Sequence, residues 1–145
     1  MKLIIAGSRS IKDLRAINQG IKHCIDNNFI TSPLSIQCIV SGTANGVDKL
    51  GETYARLNDI PVKQFPANWS DISTDPVKVK YNQYGPYNAL AGFNRNKQMA
   101  EFADAALIVW DGKSSGSKDM IECMYKLNKP VIVCKPNLIE EVCKL

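Results

Sequence analysis

The chain has 145 residues, 45% of them hydrophobic, and a formal net charge of +4, which fits one domain over 1–145 with a single core and no composition shift to mark a second. The five cysteines (Cys24, Cys38, Cys123, Cys134 and Cys143) are odd in number and form no C-x-x-C pair, which argues against a disulfide framework or a zinc site and points to reduced, mostly buried thiols in a cytoplasmic protein. The opening apolar run is too short for a signal peptide, no later stretch is long enough to span a membrane, and the scattered lysines favour anionic ligands weakly without calling for nucleic acid.

Residues 3–6 read as a first strand, and Ser10 with Asp13 reads as a capping-box start to a helix whose apolar face is Ile11, Leu14, Ile17, Ile21 and Ile25. Residues 36–40 repeat the strand pattern, and Val47, Leu50, Tyr54 and Leu57 follow at helical spacing. A third strand is expected over 60–65, a helix over 89–103 with Phe93, Met99 and Phe102, and a fourth strand over 105–110. A helix over 117–127 leads through Asn128-Lys129-Pro130 to a fifth strand over 131–134, with a short tail helix after it.

Near-continuous apolar strands alternating with helices predict an α/β fold: a Rossmann-like three-layer sandwich around a five-stranded parallel sheet, order 3-2-1-4-5. Residues 66–88 break the pattern. This stretch holds Trp69, Tyr81, Tyr84 and Tyr87 without sustained periodicity, and is read as an inserted flap, its aromatics either stacking on a nucleobase or packing the flap onto its own domain or a partner subunit.

Three small-residue loops stand at strand exits: Gly7-Ser8-Arg9-Ser10, Ser41-Gly42-Thr43-Ala44-Asn45-Gly46-Val47-Asp48, and Asp111-Gly112-Lys113-Ser114-Ser115-Gly116-Ser117. Such loops let backbone N–H groups approach a phosphate, and the following helix N-terminus adds its positive dipole end. In the expected strand order all three border one crevice at the carboxyl edge of the sheet, where open α/β folds bind ligands. The ligand is therefore expected to carry phosphate.

These loops, together with Ala91-Gly92, Arg95-Asn96 and Met99, resemble the SLOG superfamily, and within it the YspA, cpYpsA-related branch (DUF2493). The resemblance runs from Lys2 to about Val133, with the flap as the departure. It implies nucleotide binding and, on the pattern of the family's cytokinin-activating members, hydrolysis of the bond between a base and ribose 5-phosphate. Arg95 and Met99 match the helix motif R-x-x-x-M, and Gly116-Ser117-Lys118-Asp119 matches the phosphate-loop motif with Ser for Thr and Asp for Glu. The resemblance also brings phage or mobile-element settings and homo-oligomers paired through the helices beside the crevice.

Breaking an N-glycosidic bond needs negative charge near a developing oxocarbenium ion, an activated water and a hold on the phosphate. Arg95 and Asp119 are the catalytic candidates, with Asp119 alternatively a first-turn carboxylate favoured by the helix dipole. The ligand-binding candidates are Gly7, Ser8, Arg9, Ser41, Gly42, Asn96, Asp111, Gly112, Ser115, Gly116 and Ser117; Asp111 could equally cap its turn, and Arg9 could sit in a surface ion pair. Asp48 and Glu52 lie one turn apart and read as a solvated face, or as hydrogen-bonding into the Ser41-Gly42 loop. His23 reads as surface. No cofactor and no metal are expected, except Mg²⁺ arriving with a polyphosphate. The partner is a nucleotide or nucleotide-derived small molecule, turned over or only sensed; third, the resemblance to the superfamily's DNA-processing members implies single-stranded DNA, with the flap tyrosines stacking bases and Lys78, Lys80, Lys97 and Lys113 near phosphates.

Overall fold

The computed structural model describes residues 1–136. In chain order the elements are β1 (Lys2–Gly7), α1 (Arg15–Asp26), β2 (Cys38–Ser41), α2 (Val47–Leu57), β3 (Val62–Gln64), β4 (Val79–Asn82), β5 (Gly85–Asn88), α3 (Ala91–Phe102), β6 (Ala105–Val109), α4 (Ser115–Lys126) and β7 (Val131–Cys134). The expected tail helix and Cys143 lie outside the described residues.

Five strands form one parallel sheet in the order β3-β2-β1-β6-β7. The sequence reading numbered these strands 3-2-1-4-5; the numbering shifts because the flap contributes a hairpin of its own. The central strands β1, β2 and β6 bury both faces, as strands covered by crossover helices must, while the edge strands β3 and β7 are partly exposed. Leu3 and Ile5 of β1 join α1 and α2 in one core cluster with Leu107 and Val109. Ile4 and Ala6 face the other way, with Ile108, Met99 of α3, and Met120 and Met124 of α4. Alternation along β1 thus divides the core into two layers, and α3 and α4 share the layer that will matter for the site. Lys129, just past α4, donates its ammonium to the carbonyls of Ala100, Glu101 and Ala103 at 2.7, 2.9 and 2.8 Å, satisfying the open C-terminal end of α3.

The structure corrects three expectations. Ser10 caps nothing in α1, which begins at Arg15; Asp13 instead accepts the Arg15 N–H at 2.9 Å in a tight turn, and Ile11 and Leu14 pack on the core ahead of the helix. Leu57 is exposed because α2 ends there, and small Gly51 and Ala55 fill the buried face instead. The flap is not structureless: β4 and β5 pair antiparallel across a two-residue Gln83-Tyr84 turn, with Gly85 following at φ 111°. Neither Gln nor Tyr marks such a turn in sequence, which is why the hairpin went unread.

Candidate functional site

The site grows from the close pairing of β1 and β6 where the chain reverses direction across the sheet. Gly7 lies opposite Val109, and a Cβ there would stand 1.8 Å from the Val109 carbonyl oxygen; only glycine allows this approach. Ser8 then closes the junction, its N–H donating to Val109 O at 3.1 Å and its hydroxyl accepting from the Asp111 N–H at 2.9 Å. Ser8 is buried, so it fastens the first loop to the third and does not face a ligand.

The second loop is held against the first. Gly46, at φ 83°, passes so near that a Cβ would meet Ser8 O at 2.5 Å and Arg9 Cα at 2.6 Å. Ser41 is fully buried, donating to Glu52 Oε2 at 2.6 Å and accepting from the Thr43 N–H at 3.1 Å. Gln64 donates to the other Glu52 oxygen at 3.1 Å. Asp48 is also buried and accepts the Ala44 N–H at 3.1 Å. Asp48 and Glu52 therefore form no solvated face; they brace the loop from inside α2.

Asp48 does more than brace. Burial pushes its carboxyl up to about 6, against the pull of the Ala44 N–H and the Arg95 and Arg9 charges, with Glu52 adding to the rise. Arg95 faces it across Gly42: a Cβ on that glycine would stand 2.7 Å from Asp48 Oδ2 and 2.8 Å from Arg95 Nη1. Arg95 donates to the Gly42 carbonyl and, through Nε, to Asn96 Oδ1 at 3.0 Å; burial lowers its pKa while Asp48 and Asp119 oppose the shift. The guanidinium is thus pinned in place before any ligand arrives.

The third loop opens α4. Ser114 is its N-cap, accepting the Ser117 N–H at 3.4 Å, and the first-turn N–H groups of Ser115 and Gly116 have no intrahelical acceptor. No atom lies within 4 Å of where a Gly116 Cβ would be, so that turn is open. Asp111 Oδ1 accepts from the N–H groups of Lys113 at 2.8 Å and Ser114 at 3.0 Å, bonds that hold its carboxyl below the usual carboxylate range; the turn-capping alternative describes its geometry. Gly112, at φ 85°, packs against Lys135.

These parts enclose a cleft of about 380 Å³. Of the candidates from sequence, Gly7, Arg9, Arg95, Asn96, Ser115, Gly116 and Ser117 line it; Ser8, Ser41 and Gly42 support its loops from behind, and exposed Asp111 and Gly112 shape the third loop without lining the cleft. Asp119 lies on the far side of Asn96. It accepts the Asn96 side-chain amide at 3.0 Å and lines a separate groove between α3 and α4 with Lys97 and Cys123. Among the lining residues outside the named site residues are Asp48, weighed as a solvated face or a bond into the Ser41-Gly42 loop, and Trp69, weighed among the flap aromatics that stack on a nucleobase or pack the flap. Exposed His23 takes no part. Among the described residues no cluster of His, Cys, Asp and Glu is arranged to hold a metal ion, and no helix is long and apolar enough to cross a membrane.

Known proteins fit this architecture. No curated protein matches the chain by sequence. Among solved structures, DNA processing protein A from Helicobacter pylori, described for its single-stranded DNA binding mode, shares the fold with a TM-score of 0.61 and 20% identity, over 95% of this chain and 66% of that one. DNA processing protein A from Streptococcus pneumoniae gives a TM-score of 0.61 and 18% identity, over 94% of this chain and 50% of that one. The chain thus spans less than two thirds of either, and at such identities the likeness is one of fold. Residues 1–71, which supply β1 to β3 and the first two glycine loops, match the YspA, cpYpsA-related SLOG family.

Proposed function

We propose that the cleft binds a nucleotide or nucleotide-derived small molecule, its phosphate against the first turn of α4. The supporting observation is that Arg9, Arg95 and the open Ser115-Gly116-Ser117 turn line a single cleft of about 380 Å³. That volume suits a small molecule, and the exposed helix donors and two guanidinium groups suit an anion.

The chemistry we attach to this cleft is hydrolysis of an N-glycosidic bond. Water adds its oxygen to the sugar C1′ as the bond to the base breaks, and the departing base nitrogen takes a proton. Asp48 supplies that proton in this reading, because it lines the cleft and its carboxyl, at about 6, stays partly protonated near neutrality. The attacking water's proton restores it. Arg95 holds the sugar phosphate, and Asp119, the acid that the resemblance pairs with Arg95, acts on the site through Asn96.

The test is calorimetric titration with nucleoside 5′-monophosphates, ADP-ribose, cyclic nucleotides and NAD, followed by chromatography of each mixture. Heat with release of free base is the expected result. Heat with the ligand recovered intact removes hydrolysis and leaves a sensor or sequesterer; no heat and no base across the panel removes the nucleotide reading itself.

A second reading, binding of single-stranded DNA, is favoured by the flap hairpin, where Tyr81 and Tyr84 are 77% and 87% exposed beside Lys78 and Lys80, and by the fold shared with DNA processing protein A. Base–aromatic stacking with nearby lysines is how single strands are held without sequence preference. Anisotropy titration of a labelled oligonucleotide should then show affinity that falls steeply with salt; an affinity unmoved by salt, or none, removes this reading.

A further inference from the structure

The cleft lining carries two chemistries. One is the open α4 turn, with Arg9 and Arg95 on the same lining. The other is Trp69, the aromatic side chain of the flap that reaches the cleft lining; Tyr81 and Tyr84 project into solvent elsewhere. Trp69 lies over the start of α3, its Cη2 3.4 Å from where a Gly92 Cβ would be, yet it is still 44% exposed. A glycine under the ring lets the indole sit close to the helix while leaving much of its surface uncovered. Among the described residues its ring N–H has no acceptor.

The backbone that carries the ring is also held. Asn88, 1% exposed in a segment otherwise open to solvent, donates its backbone N–H to the Trp69 carbonyl at 2.6 Å. Its side chain accepts the Leu90 N–H at 2.9 Å and the Lys78 N–H at 3.3 Å, and donates to Thr74 Oγ1 at 3.0 Å. Asn94 of α3 reaches back to the Pro76 carbonyl at 3.3 Å. The flap is thereby tied to the start of α3 and to the Trp69 backbone, and an aromatic surface carried on a held backbone binds a flat ring with less ordering left to do.

We infer that Trp69 is the base-stacking wall of the cleft, so that its ligand is a phosphorylated nucleoside lying with its base on the indole and its phosphate at the α4 turn, and not a base-free sugar phosphate. This deepens the nucleotide reading above and rests on it. Calorimetric titrations with AMP, GMP, CMP and ribose 5-phosphate should show the nucleotides binding more tightly than the sugar phosphate. Trp69→Leu, which keeps apolar bulk without an aromatic face, should weaken nucleotide binding by about 5- to 150-fold and leave ribose 5-phosphate unchanged. Trp69→Phe should restore most of the loss, which a merely structural role for the ring would not predict to be selective for ligands bearing a base. If Trp69→Leu binds nucleotide as wild type does, or loses both ligands equally, the base wall is overturned while the phosphate cleft stands. If the wild type binds none of the four, the cleft reading falls and this inference with it.

Discussion

Asp48 shows how one side chain can work against stability while serving a site. Its carboxyl ionises near 6 in the folded chain, above the usual 3.8, chiefly because it is buried. Between about pH 4 and 6 the folded state keeps a proton that the unfolded state has released, so stability falls as pH rises through that window and stays lower above it. The full difference is on the order of 3 kcal/mol, with Arg95, Arg9 and Glu52 as the charged groups around it. Asp48→Asn should lack this component: denaturant titrations at pH 4 and pH 7 should show the wild type losing about 1–3 kcal/mol relative to the variant. A gap that does not change with pH would place the carboxyl's titration in the ordinary range. Gly46 makes the complementary point, since its φ of 83° and the Ser8 oxygen 2.5 Å from a Cβ position leave no room for a side chain. Gly46→Ala should destabilise by about 2–4 kcal/mol, visible as a lowered melting temperature.

Among the elements, the flap hairpin depends most on one residue. Removing the Asn88 side chain strips the Lys78 and Leu90 N–H groups of their acceptor and frees Thr74, a loss of about 1–3 kcal/mol where those donors stay dry. Asn88→Ala should therefore speed limited proteolysis of the flap by about 5- to 150-fold, the opening equilibrium being what the protease samples. The five-stranded sheet should melt as before. Proteolysis at the wild-type rate would mean that other bonds hold the hairpin. The main strands were legible because burial on both faces demands unbroken apolar runs, as in residues 105–109. The hairpin was not, because Val79-Lys80-Tyr81-Asn82 is exposed at every position and so carries no burial pattern. The start of α1 was misread for a related reason: Ile11 and Leu14 pack on the core from a turn, which mimics helical spacing.

At the scale of the molecule, the cleft was legible where backbone geometry demands small residues, and Gly7, Ser115, Gly116 and Ser117 stand on its lining. It was less legible where an ordinary residue becomes special only through burial, as with Asp48, or where a contact distant in sequence decides which of several flap aromatics reaches the lining, as with Trp69 over Gly92. The central partner of β1 is itself such a distant contact, Leu3 pairing with Ala105 and Gly7 with Val109. During synthesis, then, β1 can zip to β2 early but keeps a bare hydrogen-bonding edge until β6, Ala105–Val109, has emerged, a state that invites pairing with a neighbouring nascent chain. A chain halted at residue 104 should accumulate in the insoluble fraction of a cell lysate, whereas one carried through 136 should remain in the supernatant.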